Sequence, residues 1–348
     1  MQDPHHHSCY SLTTDHESGH QHYIISEDLY PLIKTWSEQT QFVVPDKKWF
    51  ARNHQHLRSA VDKALNTEEK VCIVDSQPYH YIVGALQPMI YDFIGKEIDF
   101  DSVISLDKVY PLALSCKVFS LHITRGIDGH GRDLGRQVYP HTPPLATQIS
   151  NFQKTVSGFN YNVVVVDDGM WTGNTMQWAL QTLREHHYTV VGVVVGLCIK
   201  KRGHITDLDL PHHKICAVQT YESDNRPVLD WVCERDFFPG IPCGGRTVFD
   251  NQLSSIFLPE QRKTIGAFYT EDPQWLQQWA SIKDMSGEFR AFCIQQSIAL
   301  FLEIERLSGR KVYLGDLDRI PLSIAQQRPN LVKTTVVEAL ESMISSLV

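Results

Sequence analysis

Two adjacent carboxylates, Asp167 and Asp168, follow the consecutive valines Val163, Val164, Val165 and Val166. They precede Gly169, Met170, Trp171, Thr172, Gly173, Asn174 and Thr175. A buried strand that ends in acids, then a turn with hydroxyl residues, then a helix, is a phosphosugar site in physical terms. The first turn of a helix leaves backbone N–H groups unpaired and carries the positive end of the dipole, so it attracts an anion. Thr172 and Thr175 add hydroxyl donors, and Gly173 lets the backbone approach a phosphate with no Cβ between them. Asp167 and Asp168, at the carboxyl end of the strand, are placed to accept hydrogen bonds from a ribose diol. Ligands of open α/β sheets bind at that edge. The bland alternative, a strand and turn with incidental acids, needs strand, acids, glycine and hydroxyls to fall in this order by chance.

The elements that must hold these residues alternate. Strands are expected over 102–106, 161–166, 189–199 and 214–220, with helices over 111–119 and 175–186. Continuously apolar strands separated by single helices indicate a parallel sheet covered on both faces. The expected fold class is therefore α/β, a doubly wound, mostly parallel sheet with a C-terminal helical extension. Residues 79–94 have helical spacing, interrupted by Pro88, which should kink the helix or open its second half. Two apolar helices are expected at the C-terminus, over 291–307, closed by Gly309, and over 332–347. The boundaries drawn are a flexible His-rich tail over 1–25, an α/β domain with N-terminal hood elements over 26–260, and the helical extension over 261–348. The tail carries His5, His6, His7, His16, His20 and His22, a tract that either binds zinc or nickel or is simply a mobile end.

The strand, the Asp-Asp pair and the Thr-Gly-x-Thr turn resemble the phosphoribosyl pyrophosphate signature of the type I phosphoribosyltransferases. The order of the preceding segments looks most like the orotate phosphoribosyltransferase subgroup, with similarity over about residues 70–220. By that resemblance Asp167 and Asp168 hold the ribose 2- and 3-hydroxyls and act as protein ligands to Mg2+. Residues 169–175 wrap the 5-phosphate. The pyrophosphate loop corresponds to Val103-Ile104-Ser105-Leu106-Asp107-Lys108-Val109-Tyr110, with Asp107 and Lys108 facing substrate. A plain surface loop is the alternative there, since the segment lacks the glycines common in the family. Residues 124–136, with Arg125, His130, Arg132, Arg136 and four glycines, resemble the family's flexible flap, Arg132 being its catalytic member. A basic surface hairpin is the alternative. Lys200, opening Lys200-Lys201-Arg202, is expected at the sheet edge near pyrophosphate or base, or else in a solvated charge run.

Phe237 to Arg246 fits no part of the orotate enzymes. Its aromatics are candidates for stacking on a nucleobase, and Gly244, Gly245 and Arg246 for binding an anion. The implied reaction is Mg2+-dependent transfer of a 5-phosphoribosyl group from phosphoribosyl pyrophosphate to a nucleobase or nucleotide acceptor. Two other readings stay open: an effector subunit of a stress or phage-defence module, and a sensor that binds without turnover.

Composition narrows the partners. The chain has 348 residues, 42% hydrophobic and 21% charged, with a net charge of −8. That balance argues against direct nucleic-acid binding, which leans on a basic surface. No apolar run is long enough to span a bilayer as a helix, so no membrane partner is expected. The N-terminus lacks the regions of a signal peptide, and a cytoplasmic location is expected. The eight cysteines have no CxxC spacing and read as reduced and structural. The helix at 291–307 is apolar nearly all round, through Ile294, Ile298, Leu300, Phe301, Leu302 and Ile304. It must be buried, either in a private core or against a homodimer mate or partner protein.

Overall fold

A computed structural model describes residues 12–13, 21–65, 71–75, 79–94, 103–107, 118–128, 133–138, 142–155, 162–200, 215–222, 228–240, 247–248, 281–282, 287–317, 320 and 332–347. The chain divides into two compact units. The first comprises Met1–His20, Ser76–Ile123 and Pro143–Val228; the second comprises Gln21–Asp75, Thr124–Thr142 and Leu229–Val348. The N-terminal hood segment thus groups with the C-terminal helices, not with the sheet as the 26–260 boundary had it.

The first unit holds β1 (Leu12–Thr13), α3 (Tyr79–Ile94), β4 (Val103–Ser105), β5 (Val118–Ser120), α4 (Leu145–Thr155), β8 (Asn162–Met170), α5 (Asn174–Glu185), β9 (Thr189–Lys200) and β10 (Ile215–Glu222). Its sheet has the order β1-β10-β9-β8-β4-β5, and every neighbouring pair is parallel. Val163 and Val165 of β8 and Val193 and Val195 of β9 share a core with Ile149 and Phe152 of α4 and Leu180 and Leu183 of α5. Side chains alternate along a strand, which leaves Val164, Val166 and Val194, all fully buried, for the opposite face. There α3 packs on β8, β9 and β10. Helices on both faces of a parallel sheet make this the doubly wound α/β fold.

Three expectations change. Val118 and Phe119, expected in a helix over 111–119, lie in β5, where they pair with Val103 and Ile104. A β-branched and an aromatic residue beside an open sheet edge gain more from pairing than from local helical spacing; residues 111–117 lie outside the described residues. The helix α3 runs unbroken through Pro88. Both Pro88 and Gly84, whose carbonyl loses its partner, are exposed, so the freed carbonyl is not shut away from solvent. The tail expected over 1–25 is not loose throughout. Residues 12–13 pair with β10, and β2 (Gln21–Ser26) is a strand with Tyr23, Ile24 and Ile25 fully buried. His22, counted with the histidine tract, is buried there too.

In the second unit β2, α1 (Leu29–Thr40), α2 (Lys47–Leu65), β3 (Val71–Asp75) and β11 (Val228–Cys233) precede α6 (Gly287–Ser308) and α7 (Val336–Ser345). One sheet has the order β11-β2-β3. A second joins β6 (Ile123–Ile127), β7 (Asp133–Val138) and β12 (Thr247–Val248) in the order β12-β6-β7. Leu29, Trp36, Phe50, Phe237, Phe301 and Leu340 belong to one core. Asp28, at the head of α1, holds Arg235 twice, accepting its backbone N–H at 3.1 Å and pairing with its Nη1 at 3.1 Å. Burial pushes the Asp28 carboxyl up to about 7 despite that partner.

The C-terminal helices are present as expected in kind. Gly309 closes α6 at φ 65°, a value that favours glycine. Ile294, Leu300, Phe301 and Ile304 of α6 are fully buried within their own unit, while Leu302 stays 47% exposed. A private core therefore accounts for most of the apolar surface of α6. The second helix starts at Val336, not at 332, because Thr335 caps it. The Thr335 hydroxyl accepts the Glu338 N–H at 3.2 Å, and Glu338 Oε2 accepts the Thr335 N–H at 2.9 Å.

Candidate functional site

Chain order and sheet order together locate the site. From β4 the chain moves outward to β5, then returns to β8 on the other side of β4 and continues to β9 and β10. The direction of winding reverses between β4 and β8. Open α/β sheets bind ligands in the crevice at such a reversal, beyond the carboxyl ends of the strands. Here β4 ends at Ser105, followed by Leu106 and Asp107, and Asp167 and Asp168 lie in the last part of β8.

The two strand ends are tied together. The Leu106 N–H donates to the Val166 carbonyl at 2.8 Å, and the Leu121 N–H after β5 donates to the Ser105 carbonyl at 2.9 Å. The Ser105 hydroxyl, wholly buried, donates to the Asp107 carbonyl at 2.9 Å and fixes the turn after β4. Gln148 of α4 clamps the neighbouring loop, its Oε1 accepting the His122 N–H at 2.8 Å. In the sequence Ser105 stood out only as a member of the 103–110 loop, and Gln148 not at all. The one signal for Ser105 was a lone hydroxyl inside the apolar run Val103-Ile104-Ser105-Leu106.

Asp167 and Asp168 stand side by side at this edge, with Asp107 near enough to act on Asp167 through its charge. Asp167 retains some surface exposure, yet its carboxyl group is withdrawn from water and lies in the field of Asp168 and Asp107. Burial, then Asp168, then Asp107 push the Asp167 carboxyl well above the usual carboxylate range. The Asp168 N–H donates to Asp167 Oδ1 at 3.0 Å, which offsets part of this. Crowded acids of this kind favour a bound cation or a ligand that donates hydroxyl protons. Among the described residues no group of three His, Cys, Asp or Glu side chains is gathered to cage a metal. The donor set is all oxygen. It suits a hard cation that keeps most of its waters and shares one or two carboxylates with phosphate oxygens, as Mg2+ does.

The turn is shorter than expected. Gly169 and Met170 continue β8, paired with Leu197 and Cys198 of β9, and the bend spans only Trp171, Thr172 and Gly173. The reason is that β9 also runs on, to Lys200, and offers continuous partners. Met170 is 3% exposed and packs with the sheet's core, so its side chain is turned away from solvent. Asn174 and Thr175 are exposed in the first turn of α5. Gly173 opens that helix at φ 75°, and no side chain caps it. The Asn174 N–H meets only the Thr172 hydroxyl, at 3.4 Å. An uncapped helix start entered through a left-handed glycine presents backbone N–H groups to an incoming anion.

Lys108, Arg132 and Arg246 lie outside the described residues, as do the side chains of Arg125 and Lys200. The backbone of Lys200 ends β9 in the first unit, and that of Arg125 lies in β6 of the second. β6 and β7 are sheet neighbours within the second unit. Phe237 and Phe238, candidates for stacking on a base, are instead fully enclosed. Phe237 meets Phe289 of α6 edge-on at 6.1 Å between centroids, and the stacking role is withdrawn. Residues 241–246 lie outside the described residues.

No protein-family model matches the chain, and no curated protein matches it. Solved structures do resemble it over about half its length. A hypothetical protein from Neisseria gonorrhoeae with bound ppGpp is 18% identical, covering 45% of this chain and 82% of its own, with a TM-score of 0.29. Adenine phosphoribosyltransferase from Rhodothermus marinus is 13% identical, covering 47% of this chain and 99% of its own, with a TM-score of 0.26. Adenine phosphoribosyltransferase from Trypanosoma brucei, in complex with AMP, pyrophosphate and ribose-5-phosphate, is 10% identical. It covers 57% of this chain and 90% of its own, with a TM-score of 0.30.

Proposed function

We propose that the chain transfers a 5-phosphoribosyl group from phosphoribosyl pyrophosphate to a nucleobase or nucleotide, releasing pyrophosphate. One observation carries the reading: the Asp167-Asp168 pair stands at the switch point of a parallel sheet, on the strand that leads through a short bend to an uncapped helix start. The α5 N-terminus and Thr172 bind the 5-phosphate. Asp167 and Asp168 accept the ribose hydroxyls and hold C1 in line between acceptor and leaving group. This positioning substitutes for much of the entropy of a bimolecular encounter. Asp107, beside them, completes the acidic edge at which Mg2+ would be held, through Asp167 and Asp168 and the substrate's own oxygens. When bound, Mg2+ supplies charge neutralisation for the departing pyrophosphate. Arg125 and Arg132 are the cations proposed to neutralise the leaving group. The orotate-like assignment rests on segment order alone and leaves the acceptor to experiment.

The test is pyrophosphate release by the purified protein, with Mg2+ and a panel of nucleobases and nucleotides. The expected result is release that depends on phosphoribosyl pyrophosphate and on one class of acceptor, and that a chelator stops. Binding of phosphoribosyl pyrophosphate with no release against any acceptor would favour the sensor reading. Neither binding nor release would remove the proposal.

A further inference from the structure

The acid pair has a neighbour with no functional group at all. Gly196 of β9 lies level with Asp168 of β8, between the registered pairs Asp167↔Val195 and Gly169↔Leu197. A Cβ at Gly196 would stand 2.6 Å from the Asp168 carbonyl oxygen and 3.6 Å from its carbonyl carbon. It would also stand 3.0 Å from Ile82 Cγ2 on α3. Backbone of a central parallel strand does not yield as a flexible side chain does, so the first contact is the severe one.

The side-chain pattern shows what this close approach accompanies. Val163 and Val165 on β8, and Val193 and Val195 on β9, point into one core cluster. Strict alternation would send Met170 and Cys198 to the opposite face, yet both rejoin the same cluster. The register shift recorded between β8 and β9 lies earlier, between Val163 and Val164, and the pairs on either side of Asp168 and Gly196 stay in step.

We infer that Gly196 is a positioning residue for the acid pair: its missing Cβ lets the Asp168 backbone press against β9, which sets the direction of both carboxylates at the sheet edge. The inference rests on the phosphoribosyl reading only for the identity of the ligand. Gly196 touches no substrate and acts through Asp168.

The test compares Gly196→Ala, Ile82→Leu, Gly196→Ala with Ile82→Leu, and Gly84→Ala. The Ile82→Leu change removes the branched methyl while keeping apolar volume. Gly84 lies in α3 with nothing within 4 Å of an added Cβ. Calorimetry with phosphoribosyl pyrophosphate and Mg2+ should find Gly84→Ala and Ile82→Leu binding as the parent does. Both proteins carrying Gly196→Ala should release pyrophosphate slower by on the order of 100-fold, the effect of a displacement near 1 Å. In the double variant Ile82→Leu should recover thermal stability but not activity. Parent-like binding and turnover in Gly196→Ala overturns the inference, as does full rescue by Ile82→Leu. An equal loss in Ile82→Leu alone also overturns it, and that arm stands even if Gly196→Ala fails to fold.

A second readout needs no ligand. Crystal structures of the two variants should show the Asp168 carbonyl displaced from β9 in Gly196→Ala and unmoved in Gly84→Ala; an unmoved Asp168 in Gly196→Ala overturns the positioning role. If the parent protein binds no phosphoribosyl ligand, the functional proposal falls while the variant structures still decide the role of Gly196.

Discussion

Asp167 is where the chain gives up stability for chemistry. Its carboxyl is raised from an ordinary value of 3.8 by burial and by Asp168 and Asp107. A carboxyl raised in the folded state makes the fold bind more protons than the unfolded chain. Stability is then fully present below about 3.8 and is lost as pH rises towards the raised folded value. Asp167→Asn keeps the oxygen that accepts the Asp168 N–H and removes the charge. Urea unfolding of the ligand-free protein should find this variant more stable than the parent at pH 8, by on the order of 1 kcal/mol after allowance for partial exposure. The gain should shrink steadily toward pH 5. A gain independent of pH would assign it to packing, and a loss would contradict the crowding of acids. The pair was legible in the sequence because strand, acids and turn occur in a fixed order. The inward direction of Met170 was not, because it depends on how far β9 continues beside it. Phe237 and Phe238 misled for a similar reason: aromatics beside Pro and Gly look like an exposed binding loop until their core is known.

Among the elements, periodicity fixed kinds better than ends. The apolar runs of β8 and β9 and the helices α5 and α6 declare themselves, since valine runs and 3.6-residue spacing are local properties. Residues 118–119 carry no such mark, and only the open edge of β4 makes them a strand. The start of α7 was misplaced because the apolar Val332 drew attention from Thr335-x-x-Glu338, a capping box readable in the sequence. Thr335→Ala removes the acceptor for the Glu338 N–H and should destabilise the second unit by about 1 kcal/mol. Thr335→Ser should restore most of that. Equal stability of the Ala and parent proteins in urea would show that packing of Val336 and Leu340, both fully buried, holds this helix start without its cap.

At the scale of the molecule, the chain order of the first unit is what turns a list of residues into a site. A parallel sheet wound outward from β4 in two directions leaves one crevice, and the acids of β8 stand at it. The alternation of strands and helices made the doubly wound class legible in advance. The grouping of residues 21–75 with the C-terminal helices was not, because it is set by contacts distant in sequence, such as the Asp28–Arg235 pair. No helix among the described residues is long and apolar enough to cross a membrane. The central claim is that the carboxyl edge of the sheet binds a phosphoribosyl ligand through Asp167 and Asp168. Ligand-induced thermal stabilisation tests it most directly, since a ligand that binds only the folded state raises the melting temperature by mass action. Phosphoribosyl pyrophosphate with Mg2+ should stabilise the parent protein and leave Asp167→Asn/Asp168→Asn, itself folded, where it was. The same shift in both proteins, or none in the parent, would contradict the account.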